Sequence, residues 1–125
     1  MLKFYCLIAI GSASGACARF FLSKHIGTLT CGFPLSTFIV NVSGCFLIGF
    51  LIHYFSYKLT IPLFLQAGLT IGFLGGFTTF SAFALEILLL LEKKQWLIGL
   101  TYFILSNSCS ILSVYFGILC GRRIY

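Results

Sequence analysis

The chain has 125 residues, of which 60% are hydrophobic and only 8% are charged, and its formal net charge is +6. Soluble domains contain roughly 25% charged residues, so this composition excludes a soluble enzyme or binding domain. The basic residues are scattered over the ends of apolar runs, which indicates contact with anionic lipid headgroups and not with nucleic acid. We therefore expect a multi-pass protein of the cell membrane.

Four apolar runs divide the sequence, and each exceeds the roughly 18 residues that indicate a membrane-spanning helix. No stretch is left over for a soluble domain. The sequence therefore predicts an all-α integral membrane fold in which residues 1–125 form a single transmembrane channel domain. The predicted helices cover approximately residues 3–23, 33–56, 61–91 and 96–121.

The basic residues near the ends of these spans are divided almost evenly between the two sides of the membrane. With both termini on one side, that side holds Lys3, Lys58, Arg122 and Arg123, and the other holds Lys24, Lys93 and Lys94. An excess of Lys and Arg on one side normally sets the orientation. Two interpretations remain. Another feature fixes the orientation, or the chain inserts both ways and assembles as an antiparallel pair.

The second span carries an amide side chain in its middle, at Asn41 within "STFIVNVSGCFLIG". An amide in the bilayer needs hydrogen-bond partners, because water is absent there. Asn41 therefore either joins two helices or faces a polar pore.

The third span contains "GFLGGFTTFSAFALE" at residues 72–86. The apolar run from Leu59 to Leu91 would form a straight helix roughly 50 Å long, whereas the hydrocarbon core is about 30 Å thick. A break near residues 75–79 would relieve this excess and free backbone carbonyls for a cation, as in broken transporter helices. Alternatively, Gly75 and Gly76 only allow close helix packing.

Three phenylalanines follow at intervals of three residues, Phe77, Phe80 and Phe83, which is the spacing of one helical face. Such a stripe either faces lipid or presents the positive edges of its rings to an anion. The hydroxyls of Thr79 and Ser81 lie beside the rings in the sequence and favour a polar surrounding.

Glu86 is the only acidic residue inside an apolar run. An intramembrane carboxylate is costly, so it has either a functional or a structural partner. We expect a structural role near the headgroups, in which Glu86 pairs with a basic side chain such as Arg19.

The fourth span carries a polar stripe at helical spacing, made of Tyr102, Ser106, Ser110 and Ser113. The stripe either hydrogen-bonds neighbouring helices or lines a permeation path. The chain has no HExxH motif, nucleotide-binding loop or paired acid and base at the membrane centre, so we expect neither an enzyme nor an energy-coupled pump.

Together these segments resemble the CrcB/Fluc family of small fluoride channels. The resemblance rests on Gly15–Arg19 as "GxxxR", on "TFIVNVSGCFLIG" at residues 37–49, and above all on "GFLGGFTTFSAFALE". It implies a dual-topology antiparallel dimer of four-helix subunits with a broken third helix and two narrow fluoride pores. The partner would be a second copy or a related subunit.

The resemblance also implies a buried structural sodium ion, held by the backbone carbonyls of Gly75 and Thr78. It assigns the remaining site residues to the fluoride path. These are the Phe80 and Phe83 rings, the Asn41 amide, the Thr79 and Ser81 hydroxyls, Tyr102 and Ser110 on the fourth helix, and Arg19 at the aqueous vestibule.

The activity that the resemblance implies is passive export of cytoplasmic fluoride down its electrochemical gradient, which protects the cell from fluoride toxicity. The alternative function is a small dual-topology multidrug exporter coupled to protons. Such an exporter needs a carboxylate that exchanges protons for substrate, and Glu86 is the only candidate in the spans.

Overall fold

The computed structural model describes residues 1–57 and 61–123, and throughout these ranges the regular secondary structure is helical. In this part of the chain four helical segments are long and apolar enough to cross a membrane, and the third of them is Leu63–Glu92. The all-helical prediction is confirmed, and the chain is a multi-pass membrane protein. The helices are α1 (Leu2–Ile26), α2 (Leu35–Tyr57), α3 (Leu63–Ala67), a π-helical segment π1 (Gly68–Leu74), α4 (Gly75–Phe77), α5 (Phe80–Glu92) and α6 (Trp96–Arg123).

The third span is broken, as the sequence predicts, and the break lies at Thr78 and Thr79. Both residues have extended backbone angles, with φ −77° and ψ 155° at Thr78 and φ −150° and ψ 125° at Thr79. Gly75 is still helical, with φ −65° and ψ −35°. The threonine pair therefore interrupts the helix, and the glycine pair before it does not.

The glycines before the break serve close packing instead. A Cβ at Gly76 would collide with the backbone of Ser12, and one at Gly72 would lie 2.9 Å from the carbonyl oxygen of Ile8. Small residues let membrane helices approach to backbone contact. Both interpretations of this region are thus partly correct. The glycines pack closely against α1, and the break lies at the threonines that follow them.

The residues from Gly68 to Leu74 form a π-helix, which the sequence does not predict. This segment has extensive contacts with α1. Glycines from both sides line the contact, since a Cβ at Gly11 would collide with the carbonyl of Gly68. The wider π turn is therefore held in place by backbone-to-backbone contact with its neighbour.

The second tight helix pair is α2 with α6, the most extensive contact between helices in the described chain. It also depends on glycine, because a Cβ at Gly49 would meet the carbonyl of Val114 and one at Gly117 would meet that of Phe46. The Ser113 hydroxyl donates to the carbonyl of Val42 at 2.8 Å across the same interface. One member of the polar stripe on the fourth span thus joins two helices.

The basic residues counted for orientation lie at helix ends wherever they are described. Lys24 is in the last turn of α1, and Lys93 and Lys94 form the turn between α5 and α6. Lys58, one of the basic residues near the span ends, and Leu59, the first residue of the third apolar run, lie outside the described residues.

The α1 packing generates a prediction for Gly15, whose Cβ would collide with the carbonyl of Phe73. We expect Gly15→Ala to lower the free energy of unfolding by about 1–3 kcal/mol, because the two backbones must move apart. Thermal unfolding in detergent micelles measures the change.

The matched control is Gly99→Ala on α6. A Cβ there would lie 3.4 Å from the end of the Leu91 side chain, which is ordinary contact. This variant should keep or slightly raise the stability, since alanine favours a helix by about 0.5–1 kcal/mol over glycine. Equal destabilisation by the two substitutions would contradict the packing account.

Candidate functional site at the helix break

The break is stabilised by the side chain of Asn41, which bonds both backbone groups of Thr79. Its Nδ2 donates to the Thr79 carbonyl at 3.0 Å, and its Oδ1 accepts from the Thr79 N–H at 2.9 Å. Inside a bilayer these groups need partners within the protein, because no water replaces the lost helical bonds. The amide from α2 therefore replaces the helical bond that the Thr79 N–H gives up, and it adds a bond to the Thr79 carbonyl, which as the N-cap of α5 also accepts the first bond of that helix.

A second contact from α2 fixes the neighbouring residue. Gly44 lies on the same face of α2 as Asn41, three residues later, and packs against the methyl group of Thr78. The Thr78 hydroxyl donates back to the carbonyl of Leu74 at 2.9 Å. Both extended residues are thus held by one short stretch of the second span.

The same arrangement leaves the carbonyls just before the break without their helical partners, those of Gly75 and Thr78 among them. In an unbroken helix the Gly75 carbonyl would accept from the Thr79 N–H, and the Thr78 carbonyl would accept from the Ala82 N–H. The Thr79 N–H donates to Asn41 instead, and the Ala82 N–H donates to the Thr79 hydroxyl at 3.2 Å. The break therefore frees several backbone oxygens between residues 75 and 78, and the two residues predicted as sodium ligands are among those that it frees.

These oxygens suit a hard cation such as sodium. Among the described residues there is no cluster of three His, Cys, Asp or Glu side chains that would hold a metal ion in another way. Gly75 also lies on an open face of the chain, since a Cβ there would meet no atom within 4 Å. The donor set fits an alkali cation, and its open side leaves room for ligands from outside this chain.

A cavity of about 240 Å³ adjoins the break, and we call it the break cavity. It brings together six of the predicted site residues and adds three that were not assigned to the site. Its lining is Asn41, Cys45, Thr78, Thr79, Phe80, Phe83, Ser106, Asn107 and Ser110.

The three additions to the break cavity have sequence signals of different strength. Ser106 belongs to the polar stripe of the fourth span, and Cys45 follows Asn41 by one helical turn, so both could have been assigned by spacing. Asn107 lies one position off the stripe, and its amide donates to the carbonyl of Phe103 at 2.7 Å. Only the cavity shows that it belongs to the site.

A larger cavity of about 480 Å³ also adjoins the break, and we call it the vestibule. Thr79 lines both cavities, so they adjoin at the break. The vestibule contains Arg19, Glu86 and also Ser81, which the resemblance assigns to the fluoride path and which does not line the break cavity. Apart from Arg19 and Glu86, its lining residues carry no formal charge.

The phenylalanines divide at the break. Phe80 is 75% exposed and Phe83 is 4% exposed, and their ring centroids are 5.7 Å apart with an interplanar angle of 50°. Phe77, which its spacing predicts on the same face, stacks instead on Phe73 with an interplanar angle of 8°. That part of the prediction is wrong, because two extended residues change the helical register between Phe77 and Phe80.

Glu86 has different partners from those expected. Its carboxylate accepts from the Thr37 hydroxyl at 2.6 Å and from the Tyr102 hydroxyl at 2.7 Å. Arg19 lines the same vestibule, but within residues 1–57 and 61–123 it forms no salt bridge with Glu86. The expected pairing with Arg19 is therefore wrong. The carboxylate is satisfied by hydroxyl donors from α2 and α6.

Tyr102 lies behind the break cavity and does not line it. Its side chain is fully buried, and its ring makes an edge contact with Phe83 at a centroid distance of 5.1 Å. Ser110 lines the cavity directly. Ser110 therefore faces the cavity, whereas Tyr102 packs against Phe83 and hydrogen-bonds Glu86.

Comparison with known proteins identifies relatives over nearly the whole chain. The model of the family described as "CrcB-like protein, Camphor Resistance (CrcB)" matches residues 6–118. A protein named fluoride-specific ion channel FluC 1 from Moorella thermoacetica is 39% identical over 119 residues, which cover 94% of this chain and 85% of that protein. The protein named fluoride-specific ion channel FluC from Azotobacter vinelandii is 40% identical over 116 residues, covering 92% and 94% of the two chains.

The bond pair from Asn41 generates a stability prediction. Asn41→Leu has a similar size but leaves the N–H of Thr79 unpaired and removes one of the bonds at its carbonyl. We expect the unpaired N–H to lower the free energy of unfolding by about 1–3 kcal/mol. Unfolding in mixed detergent micelles gives the difference between the variant and the parent protein.

Asn107→Leu is the control for this variant. It removes an amide from the same cavity, but the lost bond is to the carbonyl of Phe103 on its own helix. We expect a change below about 1 kcal/mol. If the two variants unfold at the same denaturant concentration, Asn41 does not stabilise the break.

Proposed function

Since the chain belongs to the CrcB-like family, we propose that it is a fluoride-selective channel through which cytoplasmic fluoride leaves the cell passively. The observation that carries the proposal is the break cavity, where the rings of Phe80 and Phe83 lie beside the amide of Asn41 and the hydroxyl of Ser110. Relatives that match almost the full length of the chain are named as fluoride-specific ion channels.

The chemistry of the break cavity suits a small, strongly hydrated anion. Such an ion enters a narrow path only if donors replace its water. The cavity offers neutral amides and hydroxyls together with aromatic rings, whose edges are electropositive. No residue that lines it carries a formal charge. A fixed positive charge there would bind the anion too tightly, whereas conduction requires weak, successive sites.

Arg19 has a separate role in this proposal. It lies in the vestibule, which meets the break cavity at Thr79. A cation in a wide, hydrated entrance raises the local concentration of anions without fixing one in the narrow part. Export then needs no coupled ion. Hydrogen fluoride enters the cell as a neutral acid and ionises inside, and the anion flows out down its gradient.

The proton-coupled exporter is the less favoured function because of the surroundings of Glu86. An exporter needs a carboxylate that is open to the substrate and releases its proton in each cycle. Here both carboxylate oxygens accept short hydrogen bonds from hydroxyl groups of the protein, those of Thr37 and Tyr102. These contacts support a structural carboxylate.

The proposed assembly is an antiparallel homodimer. Gly75 lies on an open face of the chain, its carbonyl and that of Thr78 have lost their helical partners, and a hard cation takes about six oxygen ligands. A second copy would add the same set, and the balanced distribution of basic residues is compatible with insertion in both orientations. A related subunit with the same motif would serve equally well.

The cation of this proposal is a structural sodium ion. The carbonyls of Gly75 and Thr78 would hold it, and its positive charge would offset the repulsion among carbonyl oxygens brought together in the bilayer. The protein's own residues keep these oxygens available. Asn41 keeps Thr79 extended, and this keeps the Gly75 oxygen free.

The test of the function is efflux from liposomes that contain the purified protein. We expect the protein to release fluoride and to retain chloride. Phe80→Ile should slow fluoride efflux about tenfold, since the ring edge contributes on the order of 1 kcal/mol to anion contact. Phe80 is the better target than Phe83, because substitution of an exposed ring leaves the core unchanged.

The control is Phe116→Ile, which replaces a half-exposed ring of α6 that lines neither cavity. Its efflux should equal that of the parent protein. Unchanged efflux in Phe80→Ile would remove this ring from the path. Equal release of fluoride and chloride would contradict the proposed selectivity, and export of a cationic dye driven by a proton gradient would support the exporter.

The sodium ion has its own test, independent of transport. We expect the melting temperature of the purified protein to fall when sodium is replaced by a large organic cation, because a ligand at a hundred times its Kd adds about 2.7 kcal/mol of stability. Differential scanning fluorimetry against sodium concentration measures the effect. A melting temperature that does not depend on sodium would exclude the site.

A further inference from the structure

Two more cavities continue from the break towards the end of the bundle where α2 ends and the third span begins. The nearer one, which we call the side cavity, has about 150 Å³ and is lined by residues that include Thr70, Gly75 and Thr78. The farther one, which we call the outer cavity, has about 240 Å³ and includes Ser56, Gln66 and Thr70. Thr70 lines both, so the two cavities adjoin.

The two hydroxyls that line the outer cavity have used their only hydrogens on backbone carbonyls. The Ser56 hydroxyl donates to the carbonyl of Ile52 at 2.9 Å, and the Thr70 hydroxyl donates to the carbonyl of Gln66 at 2.8 Å. The Gln66 amide donates one of its two hydrogens to the carbonyl of Ile61 at 2.9 Å. The lone pairs of the two hydroxyls, together with the amide oxygen and the second N–H of Gln66, remain for an occupant.

Thr78, which lines the side cavity at the break, has the same pattern, since its hydroxyl donates to the carbonyl of Leu74. The lining thus offers acceptor oxygens from the outer cavity to the break. Acceptor oxygens bind hard cations and not anions. No lysine or arginine of residues 1–57 and 61–123 lines either cavity, so none of these residues places a fixed positive charge against a cation there.

The π-helical segment of the third span contributes one hydroxyl to this line of acceptor oxygens. Thr70 lies inside the π-helical segment, whose glycines Gly68 and Gly72 contact α1. Thr70 lines cavities together with residues of α2, on a different side of the segment. π-helical turns occur often at functional sites. Here the π turn presents one hydroxyl to both cavities.

We propose that Ser56, Gln66 and Thr70 line the route by which the structural cation exchanges between the aqueous phase and the carbonyls of Gly75 and Thr78. The inference rests on the sodium site of the proposed function and adds a path to it. The cation route leaves the break through the side and outer cavities. The fluoride route uses the break cavity and the vestibule.

A route differs from a binding site in its kinetics. A side chain that a cation passes on its way affects loading and release equally, and leaves the Kd unchanged. In Thr70→Val and in Ser56→Ala we therefore expect both rates to fall about tenfold, since each variant removes one oxygen that stabilises a passing cation. The two residues lie on different helices, so a folding defect in one variant leaves the other as a test.

The measurement uses the purified full-length protein in detergent. Radioactive sodium is loaded, and its release into unlabelled sodium is followed by rapid filtration. The Kd comes separately from the dependence of the melting temperature on sodium. Thr101→Val is the matched control, because it removes an exposed threonine hydroxyl of α6 that lines neither cavity. Its rates should equal those of the parent protein.

The outcomes separate this inference from the function on which it rests. Slower loading and release at an unchanged Kd support the route. Sodium that binds to the parent protein and exchanges at the parent rate in both variants overturns the route and leaves the cation site standing. Faster release with a weaker Kd makes Thr70 a ligand and overturns the route as well. A parent protein that binds no sodium overturns the cation site itself.

Discussion

The fold of the functional region depends on one side chain from the second span, which bonds both backbone groups of one residue in the third. Asn41 accepts from the Thr79 N–H, which has lost its helical partner, and donates to the Thr79 carbonyl. In a bilayer an extended residue needs such partners, because an unpaired backbone group destabilises the fold there. The released carbonyls, the position of Phe80 beyond the break and the cavity between them all follow from this pair of bonds. A break in a membrane helix therefore needs a partner in another helix, and here the partner is an amide that can both donate and accept.

Much of this arrangement follows from the sequence, and what does not has a physical reason. The number of spans follows from hydrophobic length, and the break follows from a run too long for the bilayer that carries hydroxyls in its middle. The π-helical segment could not be predicted, because Gly68, Thr70 and Gly72 have the same pattern in an α-helix. Only contact with the backbone of α1 selects the wider turn. The partners of Glu86 were also missed, since an argument from charge favours Arg19. Thr37, however, is 49 positions away in the sequence, and only the packing brings it close.

The cavities around the break differ in the hydrogen-bonding groups that they present to an ion. In the break cavity the amides of Asn41 and Asn107 each keep a second N–H after bonding a carbonyl, because an amide nitrogen carries two. In the side and outer cavities the serine and threonine hydroxyls have donated their only hydrogen, and their oxygens remain. Residues of similar polarity thus favour opposite ions, and the difference comes from how each one bonds the backbone. Composition alone cannot show this, because a serine in a membrane helix is a donor or an acceptor according to its neighbours.

Under the proposed function the two routes come together at the break, since Cys45 and Thr78 line both the break cavity and the side cavity. Ions of opposite sign attract strongly at low dielectric constant, so a cation that moved as freely as the anion would make the protein leak salt. The chemistry of the two sites works against this. Carbonyl oxygens hold a hard cation firmly, and its release requires several such contacts to break together. The anion meets neutral donors and ring edges, each of which releases it easily. A slow cation and a fast anion can therefore share one short segment of chain.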